Sequence, residues 1–263
     1  MNHSEHNTSL LALSLKQSRN TTNKPIFWLG AGCSLHDGVP LSKELLSQLV
    51  PSTGFWGSPQ YVFDQYYDHL PPVRRATELG RLMDKPLSAD SPYRDLAYLA
   101  KEGYVDLFFT FNIDPLLETA MRQAGLVPEM DYLVVDVPKT KDAFVSALVE
   151  QPGGPRIRIV KLHGDYRHGI NYMTSREIAA YNPDIVNLVQ QYSQQSAVVC
   201  GYSFFHLNVL SAFSRSGGAL YYANCAFPDA PMVLSLIGMR SGFIIDGEYG
   251  KFEVLMRKLR TAL

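Results

Sequence analysis

The sequence predicts an α/β fold in which a parallel sheet is covered by helices on both faces. Three observations favour this fold. Short apolar runs alternate with segments of helical periodicity, several of these runs end in glycine or polar residues, and 46% of the 263 residues are hydrophobic. Strands that alternate with helices of about ten or more residues are typical of parallel sheets. The same composition excludes a disordered chain.

Strands are predicted from short apolar runs at residues 26–29, 105–110, 157–162, 197–200, 220–223 and 243–245. Apolar residues at helical spacing follow most of these runs, at residues 41–49, 174–195, 205–214 and 253–263. Another helix is predicted to begin at Asp114-Pro115, a capping residue followed by proline, and to stop at Gly125.

Two segments depart from this alternation. Residues 1–23 are predicted to be a polar N-terminal arm with a short helix near residues 10–15, either disordered or packed on a neighbouring subunit. Residues 51–104 contain only helical patterns, at 61–70, 73–83 and 93–101, and predict a small helical insertion over one end of the sheet. The main domain is expected to span residues 24–263.

Charge and cysteine content exclude several classes of protein. With 24 Lys and Arg against 25 Asp and Glu, the chain has no excess positive charge to attract nucleic acid or an anionic membrane. Cys33, Cys200 and Cys225 lie far apart, which predicts no metal site and suits a reducing compartment. No run approaches the roughly 18 apolar residues of a membrane span, and the N-terminus does not resemble a signal peptide. We therefore expect a soluble, cytoplasmic protein.

A glycine-rich turn follows the first predicted strand. It contains Gly30, Ala31, Gly32 and, two positions later, Ser34. Glycines let a phosphate approach the backbone, and free amides at the start of a helix attract the anion. A tight turn that simply needs glycine is the alternative interpretation.

Polar residues also follow the next strands. Asn112 and Asp114 lie at the end of the second strand, and Asp114 either binds a ligand, caps the next helix or does both. His163 lies just beyond the strand at 157–162, where it is either a general base or a structural hydrogen-bonding residue. Later strand ends add further candidates for a nucleotide site: Gly201, Ser203, Asn224, Gly247 and Tyr249.

The order of these motifs resembles the sirtuin family. Gly-Ala-Gly-x-Ser, Thr-x-Asn-x-Asp, Leu-His-Gly, Gly-Tyr-Ser and a late Asn occur in that order. The resemblance extends from residue 24 to about residue 259. The resemblance implies that NAD binds across a Rossmann-like sheet. It implies that Asn112 orients the ribose or a water, Asp114 binds the carboxamide and His163 is the general base. The other NAD-binding positions that it implies are Gly30, Ala31, Gly32, Ser34, Gly201, Ser203, Asn224, Gly247 and Tyr249.

The sequence also departs from the protein deacylases of that family. Deacylases carry two CxxC pairs for zinc after the catalytic His, whereas residues 164–201 contain only Cys200. Gly38-Val39-Pro40-Leu41 replaces their Pro-Asp-Phe-Arg segment. Together with Lys-Leu-His-Gly and Gly-Tyr-Ser, it resembles the bacterial sirtuin-like effectors of anti-phage defence, which hydrolyse NAD. An acidic residue is expected after Gly-Tyr-Ser in that group, where this chain has Phe204.

The expected function is therefore NAD glycohydrolysis, with NAD as substrate and no metal, in antiviral defence by NAD depletion. A sensor that holds NAD or ADP-ribose without turnover and a zinc-free deacylase are the alternatives. Because little chain follows the last strand, control is expected from homo-oligomerisation, a separate sensor or ATPase partner, or the helical insertion. Free or cyclic ADP-ribose as product, and NAD or NADP as substrate, both stay open.

Overall fold

The core of the chain is a parallel sheet. A computed structural model describes residues 2–49, 59–140, 149, 152–179, 183–204 and 207–263. The strands in these residues are β1 Ile26–Leu29, β2 Leu107–Thr110, β3 Tyr132–Asp136, β4 Ile157–Lys161, β5 Ala197–Cys200, β6 Leu220–Ala223 and β7 Phe243–Ile245. They lie in the order β3-β4-β2-β1-β5-β6-β7, and each strand is parallel to its neighbours.

Helices connect most of these strands. The described helices are α1 His3–Ser18, α2 Ser42–Leu49, α3 Pro59–Asp68, α4 Pro72–Met83, α5 Pro92–Lys101, α6 Leu116–Gln123, α7 Ser175–Ala179, α8 Pro183–Tyr192, α9 Leu207–Ala212, α10 Pro231–Met239 and α11 Phe252–Ala262. Short 3₁₀ segments follow β1 at Ala31–Cys33 and Leu35–Asp37, and another follows β4 at Tyr166–His168. None of the described helices is both long enough and apolar enough to cross a membrane.

Side chains of the buried strands alternate between two apolar cores. Phe27 and Leu29 of β1 pack into the core that contains α1, α5, α6 and α11. Ile26 and Trp28 of the same strand pack into the core on the other face, with α8, α9 and α10. Because successive side chains of a strand point to opposite faces, an apolar strand such as β1 is buried on both sides. The predicted α/β fold, a Rossmann-like parallel sheet with helices on both faces, is confirmed.

The predicted strands are present, and one strand was missed. β3 pairs with β4 at the edge of the sheet, with Tyr132 opposite Ile157. Its central residues Leu133 and Val134 are partly exposed. A short edge strand of this kind carries a weak sequence signal.

The helices differ from their predicted bounds at identifiable residues. The pattern at 174–195 contains α7 and α8, and residues 180–182 lie outside the described residues. α8 begins at Pro183, a residue that is favoured in the first turn of a helix. Residues 205–206, the predicted start of the following helix, lie outside the described residues. α10 was not predicted because its nine residues are nearly all apolar and show no polar face.

Residues 3–18 form a helix that is longer than the short one predicted near residues 10–15. Leu11 and Leu15 of α1 are fully buried against the sheet core. The polar side chains of Ser4 and Asn7 are also buried. Each has a hydrogen-bond acceptor near the end of β7: the Ser4 hydroxyl donates to Asp246, and the Asn7 amide donates to the Ile244 carbonyl oxygen. In this structure the helix therefore packs on its own domain. The proposed division of the chain near residue 23 stays a prediction.

The helical patterns predicted between residues 61 and 101 correspond to α3, α4 and α5. α4 packs on the Tyr166–His168 segment, which lies beyond the carboxyl end of β4. α5 packs between α6 and α11, so it belongs to the layer that covers the sheet. Residues 50–58 lie outside the described residues. The treatment of 51–104 as an insertion stays a proposal.

Candidate active site

The sheet reverses its direction of growth beside β1. From β1 the chain adds β2 on one side, and after β4 it returns to place β5 on the other side. In open α/β sheets, ligands bind at such a reversal, beyond the carboxyl ends of the strands. The loops after β1 and β5 meet at this point, since the amide of Gly32 donates to the carbonyl oxygen of Gly201 at 2.9 Å.

Glycines allow these two loops to touch. A Cβ atom on Gly30 would lie 2.6 Å from the Gly201 carbonyl oxygen, and one on Gly32 would lie 2.8 Å from the Gly201 Cα. Gly201 itself has φ +59°, which disfavours other residues. The amides of Gly30 and Gly32 both donate to backbone carbonyl oxygens of the β5 loop, at Cys200 and Gly201. Close packing therefore explains these glycines, and their role in holding a pyrophosphate stays a prediction.

Asn112 is at the centre of a buried polar cluster. Its Nδ2 lies 3.0 Å from the Gly30 carbonyl oxygen, 3.0 Å from Ser34 Oγ and 3.1 Å from the Tyr93 hydroxyl, and these three acceptors share its two N–H donors. Its backbone amide donates to Thr110 Oγ1, which fixes the turn after β2. These contacts join the loops after β1 and β2 to α5.

Asp114 extends this cluster and also begins a helix. Ser34 Oγ donates to its Oδ2 at 2.8 Å, and the Leu116 amide donates to its Oδ1 at 3.1 Å. Asp114 thus caps α6 while its other oxygen faces the cluster. Burial raises the pKa of Asp114 from its usual 3.8 to about 6, against the opposing effects of Lys161 and of the hydrogen bond from Ser34. The carboxyl group therefore changes charge in a mildly acidic solution.

His163 lies in the loop that follows β4, the strand next to β2. Thr110, the last residue of β2, is opposite Lys161, the last residue of β4. Asn112 and His163 each lie two residues beyond the end of their strand. The His163 ring is 7% exposed and packs edge-on against Phe111, with ring centroids 5.4 Å apart. The register of the two parallel strands therefore brings the predicted water-positioning and base residues to one edge.

Two functional candidates were missed by the sequence analysis. The Tyr93 hydroxyl lies 2.9 Å from Ser34 Oγ as well as contacting Asn112, and its helix gave no sign of a functional role. Lys161 is fully buried and donates to the Asp114 carbonyl oxygen and to the carboxylate of Asp165, both at 2.8 Å. A lysine that ends an apolar strand, with an acidic residue four positions later, was the available signal.

The other predicted residues lie farther along the same edge. Ser203 is exposed in the β5 loop, and its neighbour Phe204 is buried in the core. Asn224 follows β6, and Gly247 and Tyr249 follow β7, which are the second and third strands from β1 on that side. The structure does not bring these residues into contact with Asn112, because neighbouring strands are about 4.8 Å apart. Only an elongated ligand along the edge would reach all of them.

The cluster is enclosed, whereas a nearby cavity is open. Ser34, Asn112, Asp114 and His163 are each at most 8% exposed. A cavity of about 270 Å³ lies instead beyond β3 and β4, with His168 among its lining residues. His168 forms an ion pair with Asp136 on this wall when protonated. These four side chains therefore have little contact with solvent in the described structure.

The described part of the chain contains no group of three or more His, Cys, Asp or Glu residues placed to hold a metal ion. Cys33 and Cys200 are buried free thiols, and Cys225 is an exposed free thiol.

Taken together, the fold and site define a Rossmann-like α/β protein with a polar cluster at the reversal of its sheet. Residues 106–218, which carry Asn112, Asp114 and His163, match the SIR2-like domain family. Residues 106–218 thus resemble a SIR2-like domain, in agreement with the order of motifs along the chain.

Solved structures of Sir2 homologues share this fold. A Sir2 homologue in complex with NAD has a TM-score of 0.52 and 14% identity, and the match covers 97% of this chain and 94% of that one. A mutant Sir2 homologue in complex with ADP-ribose has a TM-score of 0.51 and 14% identity, with coverage of 94% and 96%. At this identity the likeness establishes the fold.

A further similarity is confined to part of a longer protein. The ribosomal protein uS12 methylthiotransferase RimO of Actinobacillus succinogenes is 27% identical over 122 residues, which are 45% of this chain and 24% of that protein. The chain thus spans about a quarter of the length of that curated relative. This match carries no argument about the activity of the present chain.

Proposed function

We propose that this protein hydrolyses the bond between nicotinamide and ribose in NAD to give nicotinamide and ADP-ribose. The observation that carries the proposal is the convergence of Ser34, Asn112 and Asp114 in one hydrogen-bonded cluster, with His163 in the loop after the neighbouring strand β4. The cluster lies at the reversal point of the sheet, where α/β proteins bind nucleotides.

The chemistry requires few groups. As the bond from the ribose carbon to the nicotinamide nitrogen breaks, its electron pair neutralises the positively charged ring nitrogen, and positive charge develops on the ribose. Asp114 would hold the carboxamide of the leaving group, with its carboxylate accepting from the amide N–H. Asn112 would orient one water against the ribose carbon, since its side chain both donates and accepts hydrogen bonds.

His163 would accept the proton that the attacking water loses. General-base assistance of this kind typically increases a rate by about 10²–10⁴-fold. The Phe111 ring packs edge-on against the His163 imidazole. Phe111 also stacks on the Tyr202 ring, with ring centroids 4.0 Å apart. An apolar wall of this kind would keep additional water away from the reacting atoms.

The remainder of NAD would extend along the sheet edge. Gly30, Ala31 and Gly32 would lie against the pyrophosphate together with Gly201. Ser203 would add a hydroxyl donor and Asn224 would hydrogen-bond the adenosine ribose, whereas the hydroxyl of Ser34 already donates to Asp114. Gly247 and Tyr249 would lie near the adenine. The positions of β6 and β7, next in order after β5, support this direction.

The resemblance of the Gly38–Leu41 segment to the anti-phage effectors supports a role in defence. We infer that the protein is an effector that depletes NAD during phage infection, acts in the cytoplasm and is held silent until triggered. A homo-oligomer, or a separate sensor or ATPase partner, would supply that control. Burial of the polar cluster supports a resting state in which NAD has restricted access.

The test is release of nicotinamide from NAD, followed by NMR or chromatography at high protein concentration. We expect wild type to release nicotinamide and His163→Ala and Asn112→Ala to be slower by about 10²-fold or more. His69→Ala, which removes an exposed histidine, serves as the matched control. Full activity in both site variants would contradict the assignment. NAD binding without release would indicate a sensor, and release only with an acyl-lysine peptide would indicate a deacylase.

A further inference from the structure

A fully buried lysine joins the two loops of the candidate active site. Lys161 ends β4, and its ammonium group donates three hydrogen bonds, each 2.8 Å long. The acceptors are the Asp114 carbonyl oxygen, Glu118 Oε1 on α6 and Asp165 Oδ2. An ammonium group has three donors, so every donor of Lys161 is used.

The acceptors belong to different parts of the site. Asp114 is in the loop after β2 that carries Asn112, and Asp165 is in the loop after β4 that carries His163. Glu118 lies in the first turn of α6, whose start Asp114 caps. The ammonium group of Lys161 is therefore a direct link between the loop of the water-positioning residue and the loop of the base.

Stability alone does not account for a charged group in this position. Removing an ammonium group from water is costly, and apolar residues of similar volume often replace a buried ion pair without loss of stability. Lys161 instead is 0% exposed and lies among Glu118, Asp165 and Asp114, with Arg167 pairing to Asp165 from outside. What the lysine supplies, and an apolar residue would not, is a set of directed bonds to both loops.

We propose that Lys161 is a positioning residue of this site: its ammonium group holds the Asn112–Asp114 loop and the His163–Asp165 loop in the relative arrangement that hydrolysis requires. The proposal rests on the proposed function. It concerns a residue that touches neither NAD nor the attacking water and acts through the backbone of Asp114 and the carboxylate of Asp165.

Electrostatics give this link a second consequence. Burial alone lowers the pKa of Lys161, but Glu118 and Asp165 outweigh it and raise the pKa above its usual value. Lys161 in turn opposes the rise in the pKa of Asp114. Loss of the lysine should therefore move the acidic limb of the activity profile to higher pH, in addition to slowing turnover.

The variant Lys161→Met leaves Glu118 without its partner and is expected to unfold more easily. The double variant Lys161→Met/Glu118→Leu removes one charge of each sign, so we expect it to recover most of the thermal stability. Nicotinamide release should stay at least tenfold below wild type, because neither loop regains its bond. Lys24→Met is the matched control, since Lys24 pairs with Asp106 at the opposite, amino end of the sheet.

Lys161→Arg provides a second test that retains the positive charge. A guanidinium group is planar and longer than an ammonium group, so it cannot reproduce the same three bonds. We expect a folded protein in which kcat falls at least tenfold and KM changes less than threefold. If the lysine only balanced charge, Lys161→Arg would retain wild-type kcat, and that result would overturn the proposal.

The histidine ring supplies a measurement independent of activity. In spectra of protein labelled with ¹⁵N in histidine, the His163 ring signals are assigned with His163→Ala. We expect them to shift in the Lys161 variants while the signals of exposed His69 do not. Unchanged His163 signals, or recovery of both stability and release in the double variant, would refute the positioning role. If wild type releases no nicotinamide, the proposed function fails, and the ring signals still decide whether Lys161 positions the loop.

Discussion

The side-chain amide of Asn112 donates to the hydroxyl of Ser34 at 3.0 Å, across 78 residues of sequence. The same hydroxyl donates to Asp114 at 2.8 Å. Ser34 is fully buried, so solvent does not reach its hydroxyl. This hydroxyl connects the loop after β1 directly to the loop after β2. Small changes at this serine should therefore affect both Asn112 and Asp114.

Ser34→Ala should alter the pH dependence of nicotinamide release. The hydrogen bond from Ser34 opposes the rise in the pKa of Asp114, so its loss should raise that pKa further above about 6. If the ionised carboxylate is the active form, the acidic limb of the pH–rate profile moves to higher pH. Profiles of wild type and Ser34→Ala measure the shift, with Ser47→Ala on α2 as the control. Coincident acidic limbs would show that Asp114 does not govern this part of the profile.

Asp114→Asn should increase stability at neutral pH while reducing activity. Because folding raises the pKa of Asp114, the folded protein binds this proton more tightly than the unfolded chain does. The tighter proton binding increases the free energy of unfolding. This increase is complete below pH 3.8, the pKa of Asp114 in the unfolded chain, and is lost as the pH rises through about 6. A difference of about two pKa units corresponds to about 3 kcal/mol.

The free energy of unfolding should therefore be higher for Asp114→Asn than for wild type at pH 7.5, by up to about 3 kcal/mol. The two proteins should be nearly equal near pH 4. Urea unfolding across this range measures the difference. Asp106→Asn is the comparison, since Asp106 pairs with Lys24 and Arg156 and its loss should not stabilise the protein. A constant offset between wild type and Asp114→Asn at all pH values would contradict the argument.

Gly201→Ala should be much more damaging than Gly247→Ala. Both glycines have positive φ, +59° and +60°, which costs another residue about 1–2 kcal/mol. A Cβ on Gly201 would also lie 2.6 Å from the Cys33 amide nitrogen, whereas nothing lies within 4 Å of one on Gly247. We expect a loss of about 3 kcal/mol or more at Gly201 and about 1–2 kcal/mol at Gly247, measured by thermal or urea unfolding. Equal losses would show that close approach of the two loops does not constrain Gly201.

Leu11→Ala should destabilise the domain although it changes the N-terminal helix. Leu11 is fully buried, and truncation of a buried leucine costs about 2–5 kcal/mol. Leu13→Ala is the control on the same helix, because that side chain is 50% exposed and its loss should cost less than about 0.5 kcal/mol. Urea unfolding of the two variants tests whether α1 is part of the folded unit. Two equally stable variants would favour an independent arm.

Much of the fold was predictable because its signal is local. The run Ile26–Leu29 is apolar at every position, and a strand buried on both faces has this pattern wherever it lies in the sheet. Asp114-Pro115 and Gly125 likewise mark the ends of α6 through backbone preferences of single residues. α10 and the edge strand β3 were missed because their residues show no distinct periodicity.

Contacts between residues that are distant in the sequence could not be predicted from local patterns. The sequence by itself determined the order of the motifs, the candidate residues at the strand ends and the resemblance to sirtuins. Only the tertiary structure decided that Lys161 bonds Asp114 and Asp165, that Tyr93 of α5 joins Asn112 and that the glycine amides after β1 are already occupied. The physical reason is that strand order and register set these distances. Neither strand order nor register can be read from the local sequence around one of the two contacting residues.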